Sequence, residues 1–172
     1  MNIREITPTD AYAYRQLRAT LDEESVMWGA AVGERVSLGD DAVRQFNAVL
    51  GHSGSRIWVA EAGGILVDFL SLETSGWQSL CCTGTLMVGM LSSHQGQGLS
   101  KVFFERCELW ARKQGIHCVE LLVLTNNLSS IGLYKKLGYI KEGIRKQSSY
   151  INGQSVDEIY MAKLLTQRST GL

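Results

Sequence analysis

The 172-residue chain reads as a single α/β domain over residues 1–172, with a mixed central sheet of about seven strands flanked by about four helices. Three observations predict this. Apolar patterns of strand and helix period alternate in the order β-α-α-β-β-β-α-β-α-β-β. The nearly continuous apolar run Val119 to Leu124 suits a strand buried on both faces. Two tight-turn compositions, Ala62-Gly63-Gly64 and Asn152-Gly153, mark antiparallel hairpins beside it.

A short strand at Asn2–Ile6 opens the chain. Thr7-Pro8-Thr9-Asp10 follows, with a capping residue, a proline at the first helical position and an acid at the third, and predicts a helix from about Pro8 to Leu21. Asp22 to Gly39 mixes acids, Met27, Trp28 and glycines without clear periodicity. A second helix is expected over Asp40 to Leu50, ended by Gly51-His52-Ser53-Gly54. Strands Arg56–Glu61 and Ile65–Glu73 flank the glycine turn, and a third spans Cys82–Leu91. From Gly98 to Gln114, residues Leu99, Val102, Phe103, Cys107 and Trp110 recur at helical spacing. A strand at His117–Thr125, a helix from Asn127 to Leu137 stopped by Gly138, and strands Tyr139–Ile151 and Gln154–Leu165 complete the order.

Composition narrows the function. Lysine plus arginine equals aspartate plus glutamate at 17 each, and no basic run is long enough for a nucleic-acid footprint. No segment approaches the ~20 apolar residues of a membrane span, and the first residues lack a signal peptide's apolar stretch, so neither a nucleic-acid nor a membrane partner is expected and a cytoplasmic location is. The four cysteines form no C-x-x-C pair and the histidines are scattered. Reduced, buried thiols and no metal site are therefore expected.

The sharpest local feature is Leu91-Ser92-Ser93-His94-Gln95-Gly96-Gln97-Gly98-Leu99-Ser100, at a strand-to-helix junction. Glycines there let backbone N–H groups converge, and the following helix adds its unpaired amides and positive dipole end, a nest for phosphate or pyrophosphate. A G-x-G pair opening a helix is also an ordinary tight connection. The P-loop order fails because Ser100 precedes Lys101, and the dinucleotide fingerprint fails because Lys101 stands where its third glycine belongs.

Gln95-Gly96-Gln97-Gly98-Leu99-Ser100 resembles the Gln/Arg-x-x-Gly-x-Gly/Ala signature of the GNAT N-acetyltransferase superfamily, departing at Ser100. Asn127-Leu128-Ser129-Ser130-Ile131-Gly132-Leu133-Tyr134-Lys135-Lys136-Leu137-Gly138-Tyr139 resembles the family's second block, and the likeness runs from about Ile3 to Leu165. The C-terminal portion, with Tyr150 and Asp157, resembles bacterial members acting on amino acids, polyamines or protein N-termini. The resemblance implies a sheet splayed at the site of acetyl-CoA, the cosubstrate. Backbone groups of about Gly89, Met90 and Leu91 would hold the pantetheine arm as an added strand. Those from Gln95 to Ser100 (Gln95, Gly96, Gln97, Gly98, Leu99, Ser100) would hold the pyrophosphate. Asn127 and Ser130 would lie beside the pantetheine or adenine end, and Tyr134, near the sulfur, would protonate the leaving thiolate. A backbone N–H near Met90 or Leu91 would polarise the acyl oxygen.

Many relatives place a glutamate on the strand before the loop, yet Thr83–Leu91 carries no acid. Glu73, Glu120 and His94 are the candidate bases, directly or through water, with Glu73 preferred as catalytic. Asp68 stands where relatives usually have glycine and marks either an altered acceptor site or an outward polar position. Asp22, Glu23, Glu24, Trp28 and Tyr150 are candidate acceptor contacts. The function implied is acetyl transfer from acetyl-CoA to a primary amine (a small amine, amino acid or peptide N-terminus). The alternative, motivated by the missing strand carboxylate, Ser100 and Asp68, is a non-catalytic acyl-CoA-binding or regulatory protein; another donor such as succinyl-CoA is also compatible. Dimerisation is common in the family, and the C-terminal strands could support a homodimer.

Overall fold

The computed structural model describes residues 1–24, 46–47, 50–51, 54–74, 82–96, 98–151 and 153–165. Seven strands are β1 (Asn2–Glu5), β2 (Arg56–Ala62), β3 (Ile65–Thr74), β4 (Thr83–Met90), β5 (Cys118–Leu124), β6 (Ile140–Ile151) and β7 (Gln154–Leu164). Three helices are described in full: α1 (Ala11–Glu24), α2 (Leu99–Lys113) and α3 (Leu128–Lys136). Of the second helix expected at Asp40–Leu50, only Phe46, Asn47 and Leu50 are described, and they are helical; its other residues lie outside the described ones.

The start of α1 departs from expectation because Pro8–Asp10 forms a tight 3-10 turn before the α-helix begins at Ala11. The capping chemistry is nevertheless that of the motif, with the Thr7 N–H and hydroxyl both donating to Asp10. The helix also runs three residues beyond Leu21, to Glu24. The two-residue loop Gly63-Gly64 has positive φ at both positions, the backbone that a tight antiparallel hairpin requires. At the end of α3 the Gly138 N–H donates to the Lys135 carbonyl and the Tyr139 N–H to that of Tyr134, a Schellman closure.

The sheet order is β1-β2-β3-β4-β5-β7-β6. Among the described strands β4 and β5 are the one parallel pair. One face packs under α2 and α3, where Phe103, Phe104 and Ile131 meet Leu86, Leu121, Val123 and Met161. The other is covered by α1 over β2 and β3, where Leu17 and Leu21 meet Ile57, Val59 and Phe69. Lys163 on β7 ties the first layer together. Its Nζ donates to Glu108 Oε1 of α2 at 2.6 Å and to the Leu137 carbonyl at the end of α3 at 2.7 Å. That arrangement gives the buried Glu108 a counter-charge and anchors α3 against the sheet.

Of the cysteines, Cys107 is buried as expected and Cys118 partly so, whereas Cys82 is exposed where β4 begins. No described helix is long and apolar enough to cross a membrane. Gly84 is required by close packing: a Cβ there would come within 2.6 Å of Leu72 Cδ1 and 3.1 Å of its Cγ. Because Leu72 is fully buried, Gly84→Ala is expected to cost about 1–3 kcal/mol of stability. Thermal denaturation checks this; an unchanged Tm would mean that Leu72 has room to move.

Candidate acyl-transfer site

The site is built by a failure of pairing. β4 and β5 share a ladder only over Thr83–Cys118, Gly84–Val119 and Thr85–Glu120. Beyond it β4 stays paired with β3 as far as Met90–Asp68, and β5 with β7 as far as Leu124–Glu158. Each half of the sheet is therefore intact and the parallel junction, the weaker kind of pairing, opens into a V. Which backbone groups face the gap follows from the alternation of an antiparallel ladder. The Leu91 N–H donates to the Val67 carbonyl at 3.0 Å, so Gly89 and Leu91 turn their amides toward β3, while Leu86, Val88 and Met90 turn theirs toward the gap. The same alternation, set by the Thr125 N–H on the Asp157 carbonyl, turns Leu122 and Leu124 toward it from β5.

Met90 offers backbone groups to the gap, but Leu91 and Gly89 do not, since the period of two gives alternate residues to opposite edges. Val88 turns its backbone groups to the gap beside Met90.

The cleft has a volume of about 770 Å³. From the expected cofactor residues, Met90, Gln95, Gly96, Gly98, Ser100, Asn127, Ser130 and Tyr134 line it. Gln97 lies outside the described residues. Leu99 is buried in the hydrophobic core and does not line the cleft. Thr85, Met87, Lys101, Leu133 and Glu158 also line the cleft and were not singled out from sequence. Lys101 could have been found there, as a cation in the first turn of the helix following a glycine loop.

The loop has the form of an anion nest. Gly96 and Gly98 have φ of 77° and 76°, and a Cβ built at either meets nothing within 4 Å. Gly98 is the N-terminal cap of α2 and supplies no side chain, so the amides of the first turn open onto the cleft beside Ser100 and Lys101. An exposed strand edge, an unblocked helix start and a roomy cleft between them fit a pantetheine arm carrying a pyrophosphate. At the far wall Asn127 caps α3, its Oδ1 accepting from the Ser130 N–H at 3.1 Å and the Ser129 hydroxyl at 3.0 Å. Tyr134 follows Ser130 by one helical turn. Burial pushes its phenol up to about 12, with the Ser130 hydroxyl pulling the other way, so it stays protonated through neutral pH.

The candidate bases separate. Glu73 lies exposed on β3, cross-strand from Thr85, which is cross-strand from Glu120. These three form a row on the face away from α2. Glu120 accepts from the Thr85 hydroxyl at 3.1 Å and from the Tyr160 hydroxyl. His94 sits in a 3-10 turn with its Nδ1 2.8 Å from the Ser93 hydroxyl, remote from that row in the chain's path. Asp68 is not an outward polar residue. It is fully buried between Ala60 and Met90, and no side chain partners either carboxyl oxygen. Burial raises its pKa to about 8, with the Phe69 N–H acting in the opposite direction.

Among the acceptor candidates, Asp22 is buried, Glu23 is exposed and Glu24 lines the cleft, where its Oε2 accepts from the Ser92 N–H at 2.8 Å. Trp28 lies outside the described residues, and Tyr150 is exposed near the β6–β7 turn.

Comparison with known proteins agrees with this architecture. L-amino acid N-acetyltransferase AaaT of Escherichia coli (strain K12) is 26% identical over 138 residues, 80% of this chain and 75% of that protein. The acetyltransferase of GNAT family from Streptococcus pneumoniae superposes with a TM-score of 0.87 at 22% identity, covering 95% of this chain and 98% of that one. The protein yncA of Salmonella typhimurium, solved with its cofactor acetyl-CoA, gives 0.81 at 21% identity over 99% and 97% of the two chains. These structures share the fold, and the description of the acetyltransferase (GNAT) family matches residues 14–139. The chain therefore belongs to the acetyltransferase (GNAT) family.

Proposed function

We propose that this chain, as one domain over residues 1–172, is an N-acetyltransferase that moves an acetyl group from acetyl-CoA to a primary amine by direct attack. The observation that carries the reading is the convergence of three things on one cleft. These are the free edges of β4 and β5, the glycine-capped start of α2, and the protonated Tyr134 phenol. Acetyl-CoA supplies an activated thioester. Backbone groups of Val88 and Met90 would bind its arm and polarise the acyl oxygen. The loop Gln95–Ser100 and the first turn of α2 would hold its phosphates, with Asn127 and Ser130 at the far wall. Tyr134 would give its proton to the departing sulfur, and Glu73 would add negative charge on the acceptor side. Likeness to an L-amino acid N-acetyltransferase supports amino acids as acceptors, beside small amines and peptide N-termini.

Calorimetric titration with acetyl-CoA, followed by thiol release with a panel of amino acids, polyamines and peptides, tests the reading. Binding with release for one acceptor class is expected. Binding without release from any amine favours a regulatory protein, and no binding sinks the proposal. Gly98→Ala is expected to weaken acetyl-CoA about tenfold, since an L-residue at this left-handed φ costs about 1–2 kcal/mol unless the nest distorts. An unchanged Kd would remove the loop from the binding site.

A further inference from the structure

At the narrow end of the split, Thr85 and Glu120 are the last paired residues of β4 and β5. Both point to the face away from α2, together with Met87, Leu122 and Tyr160, because cross-strand partners share a face. α1 covers that face over β2 and β3, but Thr85, Met87 and Leu122 are exposed and no described helix covers them. The result is a shelf whose Thr85, Met87 and Leu122 line the same cleft as Tyr134, with Glu120 hydrogen-bonded to Thr85 at its narrow end. Glu120 is fixed there from both sides, by Thr85 on β4 and Tyr160 on β7.

We propose that Glu120, held by Thr85 and Tyr160, is the group that receives the acceptor's ammonium and takes its proton. This rests on the N-acetyltransferase reading. Two hydroxyl donors orient the carboxylate and leave further lone pairs for an ammonium. Glu73 belongs to the same row, but Thr85 stands between it and the split, and two strand spacings put it about 10 Å from Glu120. The chemistry balances. One N–H bond of the ammonium breaks and its proton passes to Glu120. The freed lone pair forms the N–C bond as the C–S bond breaks, and the sulfur takes the Tyr134 proton. The second proton that the nitrogen sheds restores the phenol, and Glu120 returns its own to solvent.

Other titratable groups near this pair are Cys118 on β5 and Glu142 on β6, both of which act on the Tyr160 hydroxyl, whose pKa is raised chiefly by burial and then by Glu120. Glu158 on β7 is engaged by Arg145 of β6 at 3.5 Å.

The test is the pH profile of kcat/KM for thiol release by the full chain, beside acetyl-CoA affinity by calorimetry. Glu120→Gln is expected to lose about 100-fold at pH 7. The gap should narrow as pH rises toward the amine's own pKa, and acetyl-CoA should bind within about twofold of wild type. Tyr160→Phe, which removes one of the two donors that orient Glu120, should lower kcat/KM about tenfold at pH 7 with acetyl-CoA affinity unchanged. Glu120→Gln within about threefold of wild type, or a loss equal at every pH, overturns this proposal while leaving the N-acetyltransferase reading intact. If Glu120→Gln fails to fold, a Tyr160→Phe variant within about twofold of wild type overturns it instead. Wild type that binds acetyl-CoA but acetylates no amine overturns both.

Discussion

Replacing Tyr134 with phenylalanine is expected to lower kcat about 1,000-fold while acetyl-CoA binds as before. The ring is held by packing: its centroid lies 5.9 Å from that of Phe104 and 6.2 Å from that of Tyr139, contacts that phenylalanine keeps. What is lost is one proton donor at the wall of the cleft, together with its Ser130 partner. With burial pushing the phenol up to about 12, wild type should show no loss of activity from Tyr134 ionisation below about pH 11. Steady-state kinetics with a wild-type acceptor, beside calorimetry, separates the roles. A variant that keeps kcat within about threefold would reduce Tyr134 to a packing residue.

The second large effect concerns stability. Asp68 has a folded pKa of about 8 against an ordinary value of 3.8. Below about pH 4 the carboxyl is protonated in folded and unfolded chains alike. Between about pH 4 and 8 the unfolded chain releases that proton while the folded chain keeps it, so stability falls by about 1.4 kcal/mol per pH unit. Above pH 8 the folded form ionises too and the loss levels off. The whole window amounts to a penalty on the order of 5 kcal/mol at pH 8.

Asp68→Asn keeps the shape and removes the titration. It should match wild type near pH 4–5, apart from a constant offset for the buried amide, and exceed it by several kcal/mol at pH 8. Urea midpoints at pH 5, 6.5 and 8 measure this directly. Parallel curves for the two proteins would show that Asp68 finds a partner in solution.

Sequence and structure divide the account between them in a definable way. Local chemistry was enough to place the elements. Hairpin glycines, the period of two in the strands, the helical spacing in Gly98–Gln114 and the Gly138 stop put nearly every strand and helix within a residue or two of its observed bounds. The initial 3-10 turn and the overrun of α1 were missed because helix ends are settled by packing, here against β3 and β4. The glycine loop and the Asn127–Tyr134 block were legible for a similar reason, since a backbone nest and a helix wall are written in contiguous residues.

The chain by itself thus determined the strand and helix order, the glycine loop at the start of α2 and, through two short blocks, the family. Tertiary structure decided which amides of β4 face the gap, that Asp68 is buried without a side-chain partner, and that Thr85, Glu120 and Tyr160 meet. The physical reason is that register and sheet order join residues 35 and 40 positions from Glu120, and no local propensity records which edge of a strand will remain unpaired.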